Sequence, residues 1–250
     1  MSNTKSISII GHLEELRACI IACLVYLAIG TTIGFFVSSY AFELLKLPLK
    51  NTVGNLIVLK PTEAMIVYFK IALFLGAILA SPGIFHQIWK FVKPGLPENI
   101  SQSFIKWLMP IILLFITGII FTYLVILPAG LKFLIDLSKK IADPMFTLDS
   151  YMSFIISMLL LGGVVFEMPV LSAFLAQAGI LKSSFMKRKR REAFFALLVV
   201  AAVITPTTDA FNMMLFALPM LVLYEVSIIT VVLVEKSKTK NPIEGVYLNG

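Results

Sequence analysis

The chain has 250 residues, of which 59% are hydrophobic and 14% charged, with a mean hydropathy of +0.95, where a soluble domain carries about 25% charged residues. So apolar a chain cannot clothe its surface in polar groups, which excludes a water-soluble fold and leaves a single membrane domain over 1–250. The formal charge of +7 would suit a nucleic-acid binder, but the cations lie in short runs between apolar stretches and not on a polar domain, so no nucleic-acid partner is expected.

In chain order, residues 1–17 come first as a cytoplasmic amphipathic segment. Ile9, Leu13, Leu16 and Ile20 fall on one helical stripe, with His12, Glu14, Glu15 and Arg17 off it. At about 100° per residue Glu14 neighbours Arg17 and is expected to pair with it, whereas Glu15 points away with only His12 near. Glu15 is then the carboxylate available to a cationic guest, and a solvated helix face is the plainer reading of the same four residues. Glu14 and Glu15 precede the apolar run and no small-residue cleavage site follows, so the first helix is expected to stay.

Apolar runs long enough for a hydrocarbon core of about 30 Å predict transmembrane helices over 18–38, 64–89, 107–127 and 151–176. Cys19 and Cys23 share one face of the first and read as packing residues, with no second pair for a metal site. A fifth helix over 193–204 follows the basic run Lys187 to Arg191. A break at Thr205 to Asp209 then leads to a sixth over 211–234. The fifth has about twelve apolar residues, roughly 18 Å, too short for a normal bilayer unless the membrane thins.

The predicted fold class is therefore all-α, a polytopic bundle of six transmembrane helices. Two outer loops, about 39–63 and 129–150, are expected to cap it, and prolines at Pro82, Pro110, Pro128, Pro169 and Pro219 to bend it. With the amino terminus inside, fourteen Lys and Arg fall on the cytoplasmic side and six outside, which places both termini in the cytoplasm.

Glu167 lies deep in the fourth helix, where an ionised group costs a few kcal/mol or more unless paired or hydrated. A hydrated recess and a purely structural polar contact both fit it. Lys70 and Glu225 lie nearer the ends of their spans, within reach of the interface. There is no GxxxxGK[ST], HExxH or GxSxG, so an enzyme is not expected, nor is a cofactor or metal.

The run His12, Leu13, Glu14, Glu15, Leu16, Arg17 resembles the HLxELR signature of TatC, the large subunit of the twin-arginine protein translocase. Further matches follow in order: Pro48 and Leu49; Lys60, Pro61, Thr62 and Glu63; Ser81 and Pro82 with Gln87, Trp89 and Phe91; Phe166 to Pro169; Thr205 to Asp209; Leu223 to Glu225. The resemblance spans about residues 9–235. It implies short fifth and sixth helices and a concave bundle open to the cytoplasm of a bacterial or archaeal cell. It implies binding of Arg-Arg signal peptides of folded cargo on a surface that includes His12, Glu15, Leu16 and Arg17. It also implies assembly with TatB, TatA and other TatC copies among membrane lipids, and transport driven by the proton-motive force. The family's second glutamate aligns with Ile100, and Glu98 is the candidate substitute. Two rivals stand beside this reading: a proton-coupled transporter of a small solute using Glu167 and Lys70, and a membrane scaffold.

Overall fold

The computed structural model describes residues 9–50, 56–92, 104–205 and 209–240. These form α1 (Ile9–Lys50), α2 (Glu63–Val92), α3 (Phe104–Phe121), a π-helical turn (Thr122–Ile126), α4 (Leu127–Lys139), α5 (Leu148–Phe166), α6 (Met168–Gln177), α7 (Ser183–Arg188), α8 (Arg190–Ile204) and α9 (Ala210–Lys240). In hydrocarbon every backbone group must find its partner within the protein, and helices do that locally. Among the described residues, five stretches are long and apolar enough to cross a membrane: Leu13–Leu49, Glu63–Phe91, Trp107–Lys139, Leu148–Gln177 and Ala210–Lys238. The third and fourth are each built from two helices end to end. α8, where a sixth span is expected, has 15 residues, about 22 Å, and is not among these five. Of the two helices expected to be short, α8 is short, whereas α9 runs for 31 residues.

α1 is longer at both ends than the apolar run suggested. The amphipathic segment continues into the span without a break, and Pro48, expected in the outer loop, lies inside the helix. A proline here removes the donor for the carbonyl of Leu44, four residues back. Tyr123 Oη donates to that oxygen at 2.7 Å. Tyr151 Oη donates to the next carbonyl, that of Leu45, at 3.1 Å. Pro82 in α2 leaves the carbonyl of Ile78 in the same state, and Ser81 Oγ donates to it at 2.7 Å. Pro169 divides the fourth span into α5 and α6, with Glu167 at the junction. Pro82, Pro110 and Pro219 lie inside uninterrupted helices.

Close helix crossings rest on glycine. A Cβ on Gly30 would lie 2.6 Å from the carbonyl oxygen of Gly76, and one on Gly76 would lie 2.5 Å from the Thr31 nitrogen, so α1 and α2 touch backbone to backbone. With no hydrophobic force between helices in lipid, such contact is a main source of their association. α1 depends on it, since only 11% of its most apolar window is buried.

The packed core lies toward the end formed by the α1–α2 and α4–α5 connections, around Leu45, Val67, Ile71, Ile135 and Met152. There the two loops join in a parallel bridge, Ile57 N to Phe146 O at 3.0 Å and Leu148 N to Ile57 O at 2.9 Å. Glu63 Oε2 accepts from Leu59 N at 2.8 Å and its Oε1 from Asp149 N at 2.7 Å, tying the start of α2 to the start of α5. At the opposite end Lys238 Nζ donates to the carbonyls of Ala176 and Gln177, closing the last turn of α6.

Candidate functional site

At that opposite end, Glu15, Ala18, Cys19 and Ala22 of α1 face Gln87, Lys90 and Phe91 of α2 across a cavity of about 270 Å³. The spacing explains the grouping: Glu15, Cys19 and Ala22 follow one another by four and three residues, as do Gln87 and Phe91 by four, so each set shares a helix face. Small Ala18 and Ala22 leave the floor open. The site offers one carboxylate, an amide able to donate and accept, and an aromatic face, which together suit a guanidinium better than an ammonium. Lys90 shares the cavity and sets a competing positive charge against any cationic guest.

The sequence expectation at this end is partly corrected. Glu14 and Arg17 are both exposed and, among the described residues, make no ion pair with each other. An exposed pair at such a surface is worth only about 0–1 kcal/mol. What distinguishes Glu15 is therefore its place on the face toward α2, and not a pairing that occupies its neighbour. Leu16 is exposed. Glu98 and the His12 side chain lie outside the described residues. Gln87 and Phe91 were legible as motif residues but not as partners of Glu15, and Lys90 was legible only as one of the cations that place this end in the cytoplasm.

Glu167 occupies a second cavity of about 270 Å³, walled by Phe85, Trp89, Trp107, Phe115 and Phe174 among others. It is 5% exposed, and neither carboxylate oxygen has a hydrogen-bond partner among the described residues. Trp89 and Trp107 both pack on Phe174, with centroids at 5.3 and 5.8 Å. A carboxyl group buried without a partner is costly, so it must be neutral, hydrated or met by a guest.

Lys70 and Glu225, expected to reach the interface, both find carboxylate or guanidinium partners. Lys70 Nζ lies 2.5 Å from Asp149 Oδ1, and Glu225 Oε2 lies 2.6 Å from Arg190 Nη2. Thr205 and Asp209 frame the α8–α9 break. Thr205 Oγ1 donates to the Ala201 carbonyl at 3.0 Å, and Asp209 Oδ1 accepts from Asn212 N at 2.7 Å, capping the start of α9.

Comparison with known proteins decides the family. The family model for Sec-independent protein translocase protein (TatC) matches residues 11–219. The chain belongs to the TatC family. It is 37% identical over 221 residues to the Sec-independent protein translocase protein TatC of Aquifex aeolicus, covering 87% of this chain and 91% of that one. To the protein of the same name from Carboxydothermus hydrogenoformans it is 36% identical over 224 residues, covering 90% and 92%. It also superposes on a crystal structure of a twin arginine translocase receptor, TatC, with a TM-score of 0.78 and 36% identity across 90% of this chain and 99% of that one. This TatC-family chain is thus a multi-span membrane protein of a protein translocase family, and the resemblance carried by its motifs is confirmed.

Proposed function

We propose that the chain is the receptor subunit of a twin-arginine translocase, binding the Arg-Arg motif of signal peptides on folded cargo in the α1–α2 cavity. The observation that carries this reading is that Glu15 of α1 lines one cavity together with Gln87 and Phe91 of α2 and the small residues Ala18 and Ala22. A guanidinium presents a planar fork that a carboxylate accepts with two bonds, and it stacks on an aromatic ring, whereas an ammonium does neither as well. The purified full-length chain is expected to bind an Arg-Arg signal peptide more tightly than its Lys-Lys variant, measured by fluorescence anisotropy. Equal affinity for the two peptides would overturn the assignment.

Assembly with TatA, TatB and further TatC copies, and transport driven by the proton-motive force, belong to the same proposal and rest on family membership. The site lies at the end that the Lys and Arg distribution assigns to the cytoplasm, where unexported cargo waits. Reporter fusions are expected to place Arg188 inside and Asp209 outside, and an external Arg188 would reverse the topology. Glu167 is proposed to work in a hydrated recess and not to face lipid, on the strength of its burial and its position at the α5–α6 break. Glu167→Gln keeps size and hydrogen bonding while removing the charge. Transport is expected to fall with assembly intact, and wild-type export by this variant would show that ionisation at Glu167 is not needed. The small-solute transporter is disfavoured, since Lys70 is tied to Asp149 in the first turn of α5 and not placed at mid-membrane.

A further inference from the structure

A third cavity, of about 410 Å³, opens on the side of the bundle between α1, α2 and α5. Its rim and its depth differ in chemistry. Near the rim is Lys70, whose Nζ donates to Asp149 Oδ1 at 2.5 Å and to Ser153 Oγ at 2.8 Å. An ammonium has three protons to donate, so one on Lys70 has no acceptor among the described residues. Asp149 Oδ2 likewise receives no hydrogen bond among them. The two side chains are 38% and 42% exposed, so both spare valences are reachable from outside. Asp149 is held in place from behind, because its backbone nitrogen donates to Glu63 Oε1.

Below the pair the wall is mostly apolar, formed by Leu27, Leu73, Phe74, Ile156 and Leu160, with Ser157 the polar exception. Lys70 lies roughly 10 Å along α2 from Glu63, and Leu160 lies roughly 16 Å along α5 from Asp149, at about 1.5 Å per residue. The cavity therefore runs from headgroup depth toward the middle of the bilayer, on the leaflet at the bridged-loop end. We propose that it is a binding site for one aminophospholipid, with the phosphate on Lys70, the headgroup ammonium on Asp149 and an acyl chain along the apolar wall. A phosphoethanolamine headgroup carries one anion and one hydrogen-bonding cation a few bonds apart, the complement of the two spare valences. Phosphatidylcholine has a cation that cannot donate a hydrogen bond, and phosphatidylglycerol has no cation for Asp149. This site is separate from the α1–α2 cavity, and its test does not depend on the receptor reading.

The test is native mass spectrometry of the delipidated full-length chain titrated with dioleoyl phosphatidylethanolamine, phosphatidylcholine or phosphatidylglycerol. The first bound phosphatidylethanolamine is expected to be held about fivefold tighter than either of the others, the size of effect that a few partly exposed polar contacts produce. Asp149→Asn should remove the preference over both phosphatidylcholine and phosphatidylglycerol, and Lys70→Met should weaken retention of all three lipids, whose phosphate it meets. Ala77→Phe fills the cavity below an intact ion pair and should abolish the preference with helix content and melting temperature unchanged, which separates loss of the site from loss of the fold. Equal retention of the three lipids by the wild type would overturn the proposal. So would tighter retention of phosphatidylglycerol, the mark of a simple cation site, or a phosphatidylethanolamine preference that survives Asp149→Asn or Ala77→Phe.

Discussion

Replacing Glu15 by alanine is expected to weaken binding of an Arg-Arg signal peptide by roughly 5- to 150-fold, about 1–3 kcal/mol. The lower bound is set by its exposure, since an ion pair fully in water contributes only about 0–1 kcal/mol. The upper bound requires the guest to be partly desolvated between α1 and α2, in the cavity that Ala18, Ala22 and Phe91 also line. Glu14→Ala should cost less, because Glu14 is exposed and does not line the cavity. The measurement that separates charge from geometry compares Arg-Arg and Lys-Lys peptides on wild type and Glu15→Ala. If Glu15 supplies the forked acceptor, its loss should shrink the difference between the peptides as well as the affinity for each. No change at Glu15→Ala would remove this residue from the site.

Gly76→Ala is expected to destabilise the fold by about 1–3 kcal/mol, and Gly76→Leu by more, through overpacking at a backbone contact. The added Cβ would meet the nitrogen, Cα and Oγ1 of Thr31 at 2.5–2.7 Å. Two of those atoms are backbone, so the helices must separate. Gly83→Ala is the control: the three atoms nearest its Cβ all belong to the ring of Tyr26, at 3.0–3.2 Å, and a side chain can turn aside. Thermal unfolding in detergent should show a clear loss of stability for Gly76→Ala and a smaller one for Gly83→Ala. Because α1 and α2 also form the two walls of the Glu15 cavity, Gly76→Ala should weaken Arg-Arg peptide binding without touching the peptide. Wild-type stability for Gly76→Ala would show that the crossing is looser than the structure has it.

Much of the bundle was legible because the bilayer removes alternatives. A long apolar run must be helical there, so run length and hydropathy suffice to place the spans, and the shortness of α8 follows from its twelve apolar residues. Glu167 was legible for the same reason, a carboxylate being expensive at that depth. The ends of helices were not. α1 runs past Pro48 because the carbonyl that the proline strips of its donor is served by Tyr123, 79 residues along the chain. Hydropathy contains nothing about that hydroxyl, whereas the repair at Pro82 comes from the adjacent Ser81 and lay open to local reading.

The sequence by itself determined that this chain crosses the membrane, which apolar runs do so and which carboxylates stand out. Those properties depend on neighbours along one helix and on transfer from water to hydrocarbon. Tertiary structure alone decided that Glu15 faces Gln87 and Lys90, that Glu167 sits among Trp89, Trp107 and Phe174, and that Lys70 meets Asp149 and Ser153. Each of these depends on how far one helix is rotated and how closely it approaches another. Backbone contacts at glycine crossings and side-chain hydrogen bonds to exposed carbonyls set that rotation, and apolar periodicity leaves it undetermined when lipid and protein solvate a helix face almost equally well.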